Sequence, residues 1–393
     1  MNTGISLSGG GLRASVFHLG ALARMNDADL LKQIGFISTV SGGTLMVGLI
    51  YASNDYSWPV LQQSFNDKVI PKVYQKLTTE DLQLGVILDT ILVPVRIFIS
   101  RAGIVSRRIK NNWGIDKSIR DLPGTPRWII NATCYETSRN WRFETHSSHG
   151  TSRMGGVHFG YELSPDYPLC DAMAASAGLP VLIGPITLET CNRQWVKFPS
   201  KPGGPPQKTD PKFKKVHLWD GGVYDNLGLE PLDRPEVKRL FVSNASGKIS
   251  AEKKYSPGVG ALMRLISIAK FQVEALRGRD VIHNYEDHKL SGNYFNTGNF
   301  CRKILESALN ILGVDAGYEA SDISTLCQSY LSEEDAEDAA TMRTEIRKLT
   351  EEEFTLLFRH GYEVADCTLF AYGKGTYQLL TYDAGRWNAL FSG

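Results

Sequence analysis

Three glycine-centred turns contain the residues of this sequence whose types and spacing could do chemistry. The turns are Gly9–Gly11, Ser41–Gly43 and Asp220–Gly222, and each follows a short β-rich run. Sites in open α/β sheets form at the carboxyl ends of strands, so we expect the three turns to line one crevice. A serine hydroxyl, a carboxylate and unhindered backbone amides would then face one another.

Ser41 could act as a nucleophile, because it stands between a β-rich run and a helical pattern. A serine on such a sharp strand-to-helix turn projects its hydroxyl into the crevice. Asp220 could accept the serine proton if its surroundings raise its pKa above the ordinary value of about 3.9. Taken singly, Ser41 also fits a helix cap and Asp220 an ordinary turn, so neither motif alone decides the function.

The glycine run of Gly9, Gly10 and Gly11 offers successive backbone N–H groups at the start of a predicted helix. Such donors stabilise the oxyanion of a tetrahedral intermediate, and they also cradle phosphate. The nucleotide alternative lacks the Lys-Ser/Thr of a P-loop, since Arg13 stands two residues after the last glycine. It also lacks the acidic residue of a dinucleotide fold, since Ser41 stands in that place. Oxyanion stabilisation is therefore the favoured interpretation.

The elements around these turns predict the fold. Two consecutive strand-glycine-helix units, in residues 5–23 and 36–50, imply a parallel sheet with right-handed crossovers. Residues 128–133 and 141–143 are typical of two strands around a turn, and residues 169–177 of a short helix. We therefore predict a three-layer α/β/α sandwich with a mostly parallel central sheet and helical additions at the C-terminus.

Together the three turns and their flanking residues resemble the patatin-like phospholipase family. The matching stretches are Leu7–Ala14, Thr39–Gly43 and Asp220–Gly222, with supporting stretches at Asn131–Thr133 and Ala174–Pro180. The resemblance covers about residues 4–245. One position departs from the pattern. The serine of the family usually stands in Gly-x-Ser-x-Gly, and in this nucleophile turn Thr39 replaces the first glycine whereas Gly43 keeps the last.

The resemblance implies a dyad without histidine, in which Asp220 deprotonates Ser41 for attack on an ester carbonyl. It also implies that Gly221 and Gly222 shape the turn of the aspartate, and that Arg13 contacts substrate phosphate or supports the glycine run. No cofactor and no metal is expected. The implied reaction is hydrolysis of membrane lipid esters, of the phospholipase A or lysophospholipase type. The alternative is a non-catalytic or regulated lipid-binding protein on the same fold, which the intact serine and aspartate disfavour.

The resemblance also predicts a division of the chain. Residues 1–250 would form the catalytic domain, with a helical insertion at residues 84–125. Residues 251–393 would form a mainly helical region that packs on this domain or forms a small lobe. The insertion begins with an apolar run, residues 84–99, which is either a buried helix or a lid that contacts membrane.

The net charge of the chain is close to zero, with 43 Lys+Arg residues against 42 Asp+Glu residues. This balance argues against nucleic-acid binding and leaves membrane attraction to local features. One such feature is a basic cluster after the apolar run, comprising Arg101, Arg107, Arg108 and Lys110. No signal peptide or membrane-spanning segment is expected, which predicts a cytoplasmic protein with transient, peripheral membrane contact.

The histidines and cysteines fit structural roles. His18, in the first predicted helix, is interpreted as a packed or capping residue, and His217 is a weak candidate for a base. The six cysteines are widely spaced and form neither a C-x-x-C motif nor a Cys/His pattern for zinc. We expect buried, reduced thiols.

Overall fold

The computed structural model describes residues 2–82, 101–147, 150–180, 183–199, 204–247, 255, 257–312, 324–325, 327–373 and 376–392. A mixed sheet forms the centre of this described chain. Its strands are β1 (Thr3–Leu7), β2 (Ile34–Thr39), β3 (Arg127–Cys134), β4 (Arg139–Glu144), β5 (Arg153–Gly156), β6 (Gly160–Leu163), β7 (Ile186–Glu189), β8 (Trp195–Lys197), β9 (Gln207–Thr209), β10 (Lys215–Asp220), β11 (Arg239–Asn244) and β12 (Ser291–Asn296).

One half of the sheet is parallel, in the order β12-β11-β1-β2-β3. The strands β1 and β3 are buried along their whole length. Such burial is typical of parallel strands that helices cover on both faces. The predicted α/β sandwich with parallel central strands is confirmed.

The other half of the sheet is antiparallel. β3 and β4 form the hairpin that residues 128–133 and 141–143 predict, and the sheet then continues through β5, β6, β8 and β9. β10 runs antiparallel to both β3 and β7. The strands β5 to β9 are three or four residues long, which is too short for their alternation to be recognised in the sequence.

The described helices surround this sheet. They are α1 (Gly11–Asp27), α2 (Gly42–Ser53), α3 (Ile70–Thr79), α4 (Arg101–Trp113), α5 (Leu169–Ser176), α6 (Gly222–Asp225), α7 (Val259–Glu286), α8 (Cys301–Leu312), α9 (Glu333–Thr341), α10 (Glu351–Tyr372) and α11 (Ala384–Phe391). A short helix, Gln62–Ser64, and a π-helical turn, Phe65–Val69, precede α3.

The predicted apolar run, residues 84–99, lies outside the described residues. Among the helices that are described, none is long and apolar enough to cross a bilayer. The basic cluster that follows the run lies on α4, where Arg101, Arg107 and Lys110 are exposed. The opposite side of α4 is mostly apolar and buried, so these basic side chains lie on its solvent face, and their contact with anionic headgroups stays a prediction.

The C-terminal helix α10 packs against α1 at very short range. A Cβ atom on Gly20 would lie 2.0 Å from the carbonyl oxygen of Phe358, and one on Gly361 would lie 2.0 Å from that of Phe17. Glycine at both positions removes the side chain that would separate the two backbones. The C-terminal helices are therefore closely packed on the first helix of the sheet domain.

The sheet also continues past residue 250, where the sequence predicts the end of the catalytic domain. The helix α7 leads into β12, which pairs in parallel with β11 over its whole length. β11, α7 and β12 thus form one more crossover unit of the parallel half. The predicted boundary does not coincide with the end of the sheet.

We expect Gly361→Ala to destabilise the protein, because the added methyl group would meet the backbone of α1. Overpacking of this kind costs about 1–3 kcal/mol. Thermal unfolding followed by circular dichroism should show a clearly lower Tm. Gly385→Ala in α11 is the matched control, since a Cβ there lies 3.3 Å from the Asp383 carboxylate and alanine favours the helix. An unchanged Tm in Gly361→Ala would contradict the close packing of α10 on α1.

Candidate active site

Two strands end head to head along the same side of β3. β2 runs parallel to β3, and its last residue, Thr39, pairs with Ile130. β10 runs antiparallel to β3, and its last residue, Asp220, pairs with Ala132. Because these two positions on β3 are close together, the turns that follow β2 and β10 open at the same place. Ser41 and Asp220 meet there although they are far apart in the sequence.

Ser41 has a strained backbone, with φ 49° and ψ −115°. Positive φ is uncommon for a residue other than glycine and costs about 1–3 kcal/mol. The turn is also crowded. A Cβ on Gly42 would lie 2.2 Å from the Gly11 carbonyl oxygen, and one on Gly43 would lie 2.4 Å from the Leu7 carbonyl oxygen. The two glycines therefore let the turn pack directly on β1 and the glycine run, while Ser41 stays 9% exposed.

Asp220 is almost completely buried, with 3% of its surface exposed. Its Oδ1 atom accepts a hydrogen bond from the Gly222 amide at 2.7 Å. Burial raises the pKa of Asp220, while the charge of Lys270, the Gly222 amide and hydrogen bonding with the Ser41 side chain oppose that rise. A carboxylate that contacts the serine hydroxyl and has a raised pKa can act as a general base.

A chain of hydrogen bonds holds the backbone of Ser41 in its strained conformation. The Ser41 amide donates to Ser176 Oγ at 3.0 Å, and the Ser176 and Thr44 hydroxyl oxygens lie 2.9 Å apart. Thr44 donates to Thr39 Oγ1 at 2.9 Å, and Trp128 Nε1 donates to the same oxygen at 2.9 Å. Since the amide can only donate and Thr44 donates to Thr39, the Ser176 hydroxyl donates to Thr44. Every hydrogen bond in the chain therefore has a defined direction.

Thr39 is the residue that departs from the Gly-x-Ser-x-Gly pattern, and this chain of hydrogen bonds shows what its side chain does. The Thr39 hydroxyl is fully buried and is the acceptor for both Thr44 and Trp128. A glycine at this position would leave those two buried donors without an acceptor, which is unfavourable. The bulk of threonine is accommodated because its neighbours are polar and bind it.

The glycine run lies directly beside Ser41, since a Cβ on Gly9 would be 3.1 Å from the Ser41 Cβ. The Gly9 amide donates to the Asn226 carbonyl oxygen at 3.1 Å, so it is already engaged and the predicted set of oxyanion donors is reduced. The amides of Gly10 and Gly11 donate no hydrogen bond within the described part of the chain. Both lie at the N-terminus of α1, where the helix dipole favours negative charge.

Arg13 connects the glycine run to distant parts of the chain. Its guanidinium donates to three backbone carbonyl groups at 2.8–3.4 Å, those of Ala245, Ala340 and Met342. Beside it, the Leu12 amide donates to the Glu345 carbonyl oxygen at 2.9 Å. Burial lowers the pKa of Arg13 to about 10. Of the two predicted roles, this geometry fits support of the loop and not contact with substrate phosphate.

The two histidines considered from the sequence have structural partners. His18 is fully buried, with Nδ1 2.7 Å from Ser243 Oγ and Nε2 2.9 Å from the Ser8 carbonyl oxygen. Burial lowers its pKa to about 4, so the ring is neutral at physiological pH. His217 pairs instead with Glu136, at 2.5 Å between Nδ1 and Oε1. Neither imidazole is hydrogen-bonded to the serine or the aspartate, which agrees with the packed interpretation of His18.

Two residues beside the site were not identified from the sequence. Asn226 packs its Oδ1 atom against Gly9 and Gly222, where added Cβ atoms would lie 2.6 and 2.3 Å away. Lys270 of α7 lowers the pKa of Asp220 by its charge. No local motif marks either residue, because each reaches the site through tertiary packing.

The described residues contain no group of three or more His, Cys, Asp or Glu side chains that could hold a metal ion. The cysteines are present as free thiols, of which Cys191 is exposed and the others are buried. The expectation of reduced thiols agrees with this structure. The expectation of buried cysteines is correct for five of them and wrong for Cys191.

A family model described as patatin-like phospholipase matches residues 5–233 of the chain. This is more than half of the chain, and the protein therefore belongs to the patatin-like phospholipase family. The matched region contains all three glycine-centred turns and ends before α7.

A solved phospholipase structure has a similar fold. Human GIVD cytosolic phospholipase A2 has a TM-score of 0.51 at 13% identity, covering 95% of this chain and 60% of that chain. VipD from Legionella pneumophila has a TM-score of 0.37 at 13% identity, covering 93% of this chain and 66% of that chain. At these identities the likeness concerns the fold alone, and the chain spans about three fifths of the human protein. A search of curated proteins gives no significant match.

We expect Thr39→Val to lower the free energy of unfolding by about 1–3 kcal/mol, because Trp128 and Thr44 lose a buried acceptor. Valine keeps the shape of threonine, so urea unfolding followed by tryptophan fluorescence reports the loss of the hydroxyl. Thr39→Ser, which keeps the hydroxyl, is the control and should lose less stability. Equal stability of the valine variant and the wild type would mean that the hydroxyl does not hold the chain of hydrogen bonds.

We expect Asp220→Asn to stabilise the fold at neutral pH. A carboxyl group whose pKa is raised on folding favours its neutral form in the fold, so stability is lost as the pH rises through the folded pKa. For each unit by which folding raises the pKa, the free energy of unfolding is lower by about 1.4 kcal/mol at pH values above the folded pKa. The Tm of the variant should therefore exceed that of the wild type near pH 8, and the difference should shrink towards acidic pH.

Asp287→Asn is the control for this measurement. Asp287 is exposed, and its hydrogen bond with Lys289 lowers its pKa. Its replacement should not raise the Tm at any pH. A Tm difference for Asp220→Asn that stays constant with pH would contradict the raised pKa.

Proposed function

We propose that the protein hydrolyses carboxylic esters of phospholipids or lysophospholipids through a dyad of Ser41 and Asp220. The observation that carries this proposal is the convergence of the serine turn, the buried aspartate and the glycine run where β2 and β10 end against each other. Membership of the family supports lipids as the class of substrate.

The first half of the reaction forms an acyl-enzyme. The Asp220 carboxylate takes the proton of the Ser41 hydroxyl as Oγ bonds to the ester carbonyl carbon. The negative charge that develops on the carbonyl oxygen is stabilised by the amides of Gly10 and Gly11 and by the N-terminus of α1. When the tetrahedral intermediate collapses, the ester C–O bond breaks and the proton on Asp220 passes to the leaving alkoxide.

The second half of the reaction releases the fatty acid. Water gives a proton to Asp220 and attacks the acyl carbon, and the oxyanion again binds to the amides of Gly10 and Gly11. The Ser41–acyl bond then breaks, and Ser41 Oγ takes back the proton. The dyad returns to its starting state without a histidine, a metal or a cofactor in the scheme.

The substrate class defines where such an enzyme would act. Phospholipids are presented in membranes, so the protein would bind the membrane surface transiently while remaining a cytoplasmic, peripheral protein. The oligomeric state of the protein does not enter the scheme, because both members of the dyad and the glycine run come from one chain. The alternative function, lipid binding without hydrolysis, would leave the dyad without a use.

We expect Ser41→Ala and Asp220→Asn each to reduce fatty-acid release from phospholipid vesicles by at least about a thousandfold, because the nucleophile or its base is lost. The measurement is a panel of diacyl and lysophospholipids with mass-spectrometric identification of the products. His217→Asn is the matched control, since His217 is close to Asp220 in sequence but pairs with Glu136. It should retain activity.

The same assay separates the two functions. Turnover retained in Ser41→Ala would contradict the dyad. Vesicle binding by the wild type without release of fatty acid from any lipid of the panel would favour the non-catalytic alternative.

A further inference from the structure

The side chain of Asn226 brings an unpaired acceptor oxygen to the candidate active site. Asn226 directly follows α6, and only 3% of its surface is exposed. No group in the described part of the chain donates a hydrogen bond to its Oδ1 atom. A buried polar atom without a partner is unfavourable and rare, so it points to a bound molecule or a functional role. Here the missing partner has to be a donor.

The neighbours of Asn226 fix which end of its amide group faces the site. The Nδ2 atom donates to a carboxylate oxygen of Glu274 at 3.1 Å and to Ser246 Oγ at 2.6 Å. An ionised carboxylate only accepts hydrogen bonds, so the amide nitrogen must face Glu274 and the carbonyl oxygen must face away from it. Glu274 is held in turn by Asn244, whose Nδ2 atom donates to the other carboxylate oxygen at 2.8 Å. The orientation of Oδ1 is therefore fixed.

Two glycines of the site locate this oxygen. A Cβ on Gly222 would lie 2.3 Å from Asn226 Oδ1 and 2.9 Å from Asp220 Oδ1. A Cβ on Gly9 would lie 2.6 Å from Asn226 Oδ1 and 3.1 Å from Ser41 Cβ. In each case the two outer atoms are no further apart than the sum of the two distances. The unpaired oxygen of Asn226 therefore lies beside both members of the dyad.

An acceptor at this place fits a water molecule and not the oxyanion of the intermediate. The oxyanion is negative and is repelled by a carbonyl oxygen, whereas water has two protons to donate. A water that donates to two acceptors at ordinary hydrogen-bond lengths holds them about 4–5 Å apart. This spacing lies within the limit that the Gly222 distances set for Asn226 Oδ1 and Asp220 Oδ1. One water can therefore bind both side chains.

We propose that Asn226 is a catalytic residue that binds and orients the water which hydrolyses the acyl-enzyme, and that Glu274 positions Asn226 for this. The role rests on the proposed function, which assigns the acyl group to Ser41 and the base to Asp220. It adds to the dyad a residue that acts in one half of the reaction only.

The water uses one O–H bond for chemistry and the other for binding. Its oxygen bonds to the acyl carbon while one proton passes to the Asp220 carboxylate. The second proton stays on the attacking oxygen and donates to Asn226 Oδ1, which directs the oxygen lone pair at the carbon. When the bond between the acyl carbon and Ser41 Oγ breaks, Oγ takes the proton from Asp220 and the fatty acid leaves. Formation of the acyl-enzyme involves no water and does not need Asn226.

The test is the hydrolysis of a p-nitrophenyl ester of a short fatty acid by the full-length wild type and by Asn226→Ala. Formation of the acyl-enzyme releases p-nitrophenolate as a burst, and kcat/KM reports this step, whereas kcat reports hydrolysis of the acyl-enzyme. We expect the variant to keep the burst and to keep kcat/KM within about twofold, while kcat falls at least about tenfold. Intact-protein mass spectrometry should then show the acylated protein during turnover.

Asn293→Ala is the matched control. Asn293 is equally buried, with 3% of its surface exposed, and its Nδ2 atom donates to the Thr368 carbonyl oxygen at 3.2 Å. It lies on β12, which β11 separates from β1 and the glycine run. This variant should keep the wild-type burst, kcat/KM and kcat.

Hydroxylamine gives a second readout, because it attacks the acyl carbon without a base to remove its proton first. Added hydroxylamine should therefore raise the turnover of Asn226→Ala by a larger factor than that of the wild type. A variant whose glycine run is merely disturbed would form the acyl-enzyme slowly, and hydroxylamine would not restore its turnover.

Glu274→Gln tests the same role if Asn226→Ala does not fold. Glutamine keeps the size of the side chain but leaves one oxygen to accept from the two asparagine amides. The orientation of Asn226 is then less firmly held. We expect kcat to fall by a smaller factor than in Asn226→Ala and kcat/KM to stay close to the wild-type value.

Three results would overturn the role of Asn226. The first is a wild-type kcat in both variants. The second is an equal loss of kcat and kcat/KM that hydroxylamine does not restore. The third is a loss of kcat/KM for lysophospholipid alone, with unchanged kinetics on the p-nitrophenyl ester, which would assign Oδ1 to a hydroxyl group of the substrate. A Ser41→Ala variant that still hydrolyses the ester would instead overturn the proposed function, and the role of Asn226 with it.

Discussion

The candidate site depends on a constraint of strand pairing: two strands of opposite direction share one side of β3 and end against each other. Neither β2 nor β10 can continue along β3, because the other strand occupies the next positions. Both chains must therefore leave the sheet abruptly. This explains why each is followed by two glycines, since a Cβ on Gly43 or Gly221 would lie 2.4 Å from a backbone oxygen of β1 or β3. The turns that carry Ser41 and Asp220 are consequences of this meeting.

The groups that would perform the chemistry carry an energetic cost in folding. Ser41 holds a positive φ, and Asp220 is buried with a raised pKa. Structures retain such strain where the surroundings fix it, and function is the usual reason for retaining it. Here the surroundings are the hydrogen-bond chain that ends at Thr39 and Trp128. Thr39, which departs from the family pattern, thus helps to hold Ser41, the residue at the centre of that pattern.

The sequence predicted those features that are encoded locally. Glycines after β-rich runs mark the turns at residues 9–11, 41–43 and 220–222, and two strand-glycine-helix units establish the parallel sheet. What it could not predict is decided by distant partners. The Gly9 amide is engaged by Asn226, and Arg13 by carbonyl groups up to 329 positions away. The region after residue 250 is mainly helical as predicted, but the packing that brings Lys270 of α7 towards Asp220 depends on contacts between distant parts of the chain.

The contacts of Arg13 and Leu12 with residues 340–345 have a consequence for how such a chain can evolve. The family match ends at residue 233, yet the glycine run is held by carbonyl groups that lie more than 100 positions beyond that end. A chain shortened to the family match would keep the dyad and deprive the Arg13 guanidinium of all three of its carbonyl acceptors. The C-terminal helices therefore cannot be exchanged independently of the glycine run. A substitution at Arg13 constrains which residues are tolerated at positions 340–345, and a substitution there constrains position 13.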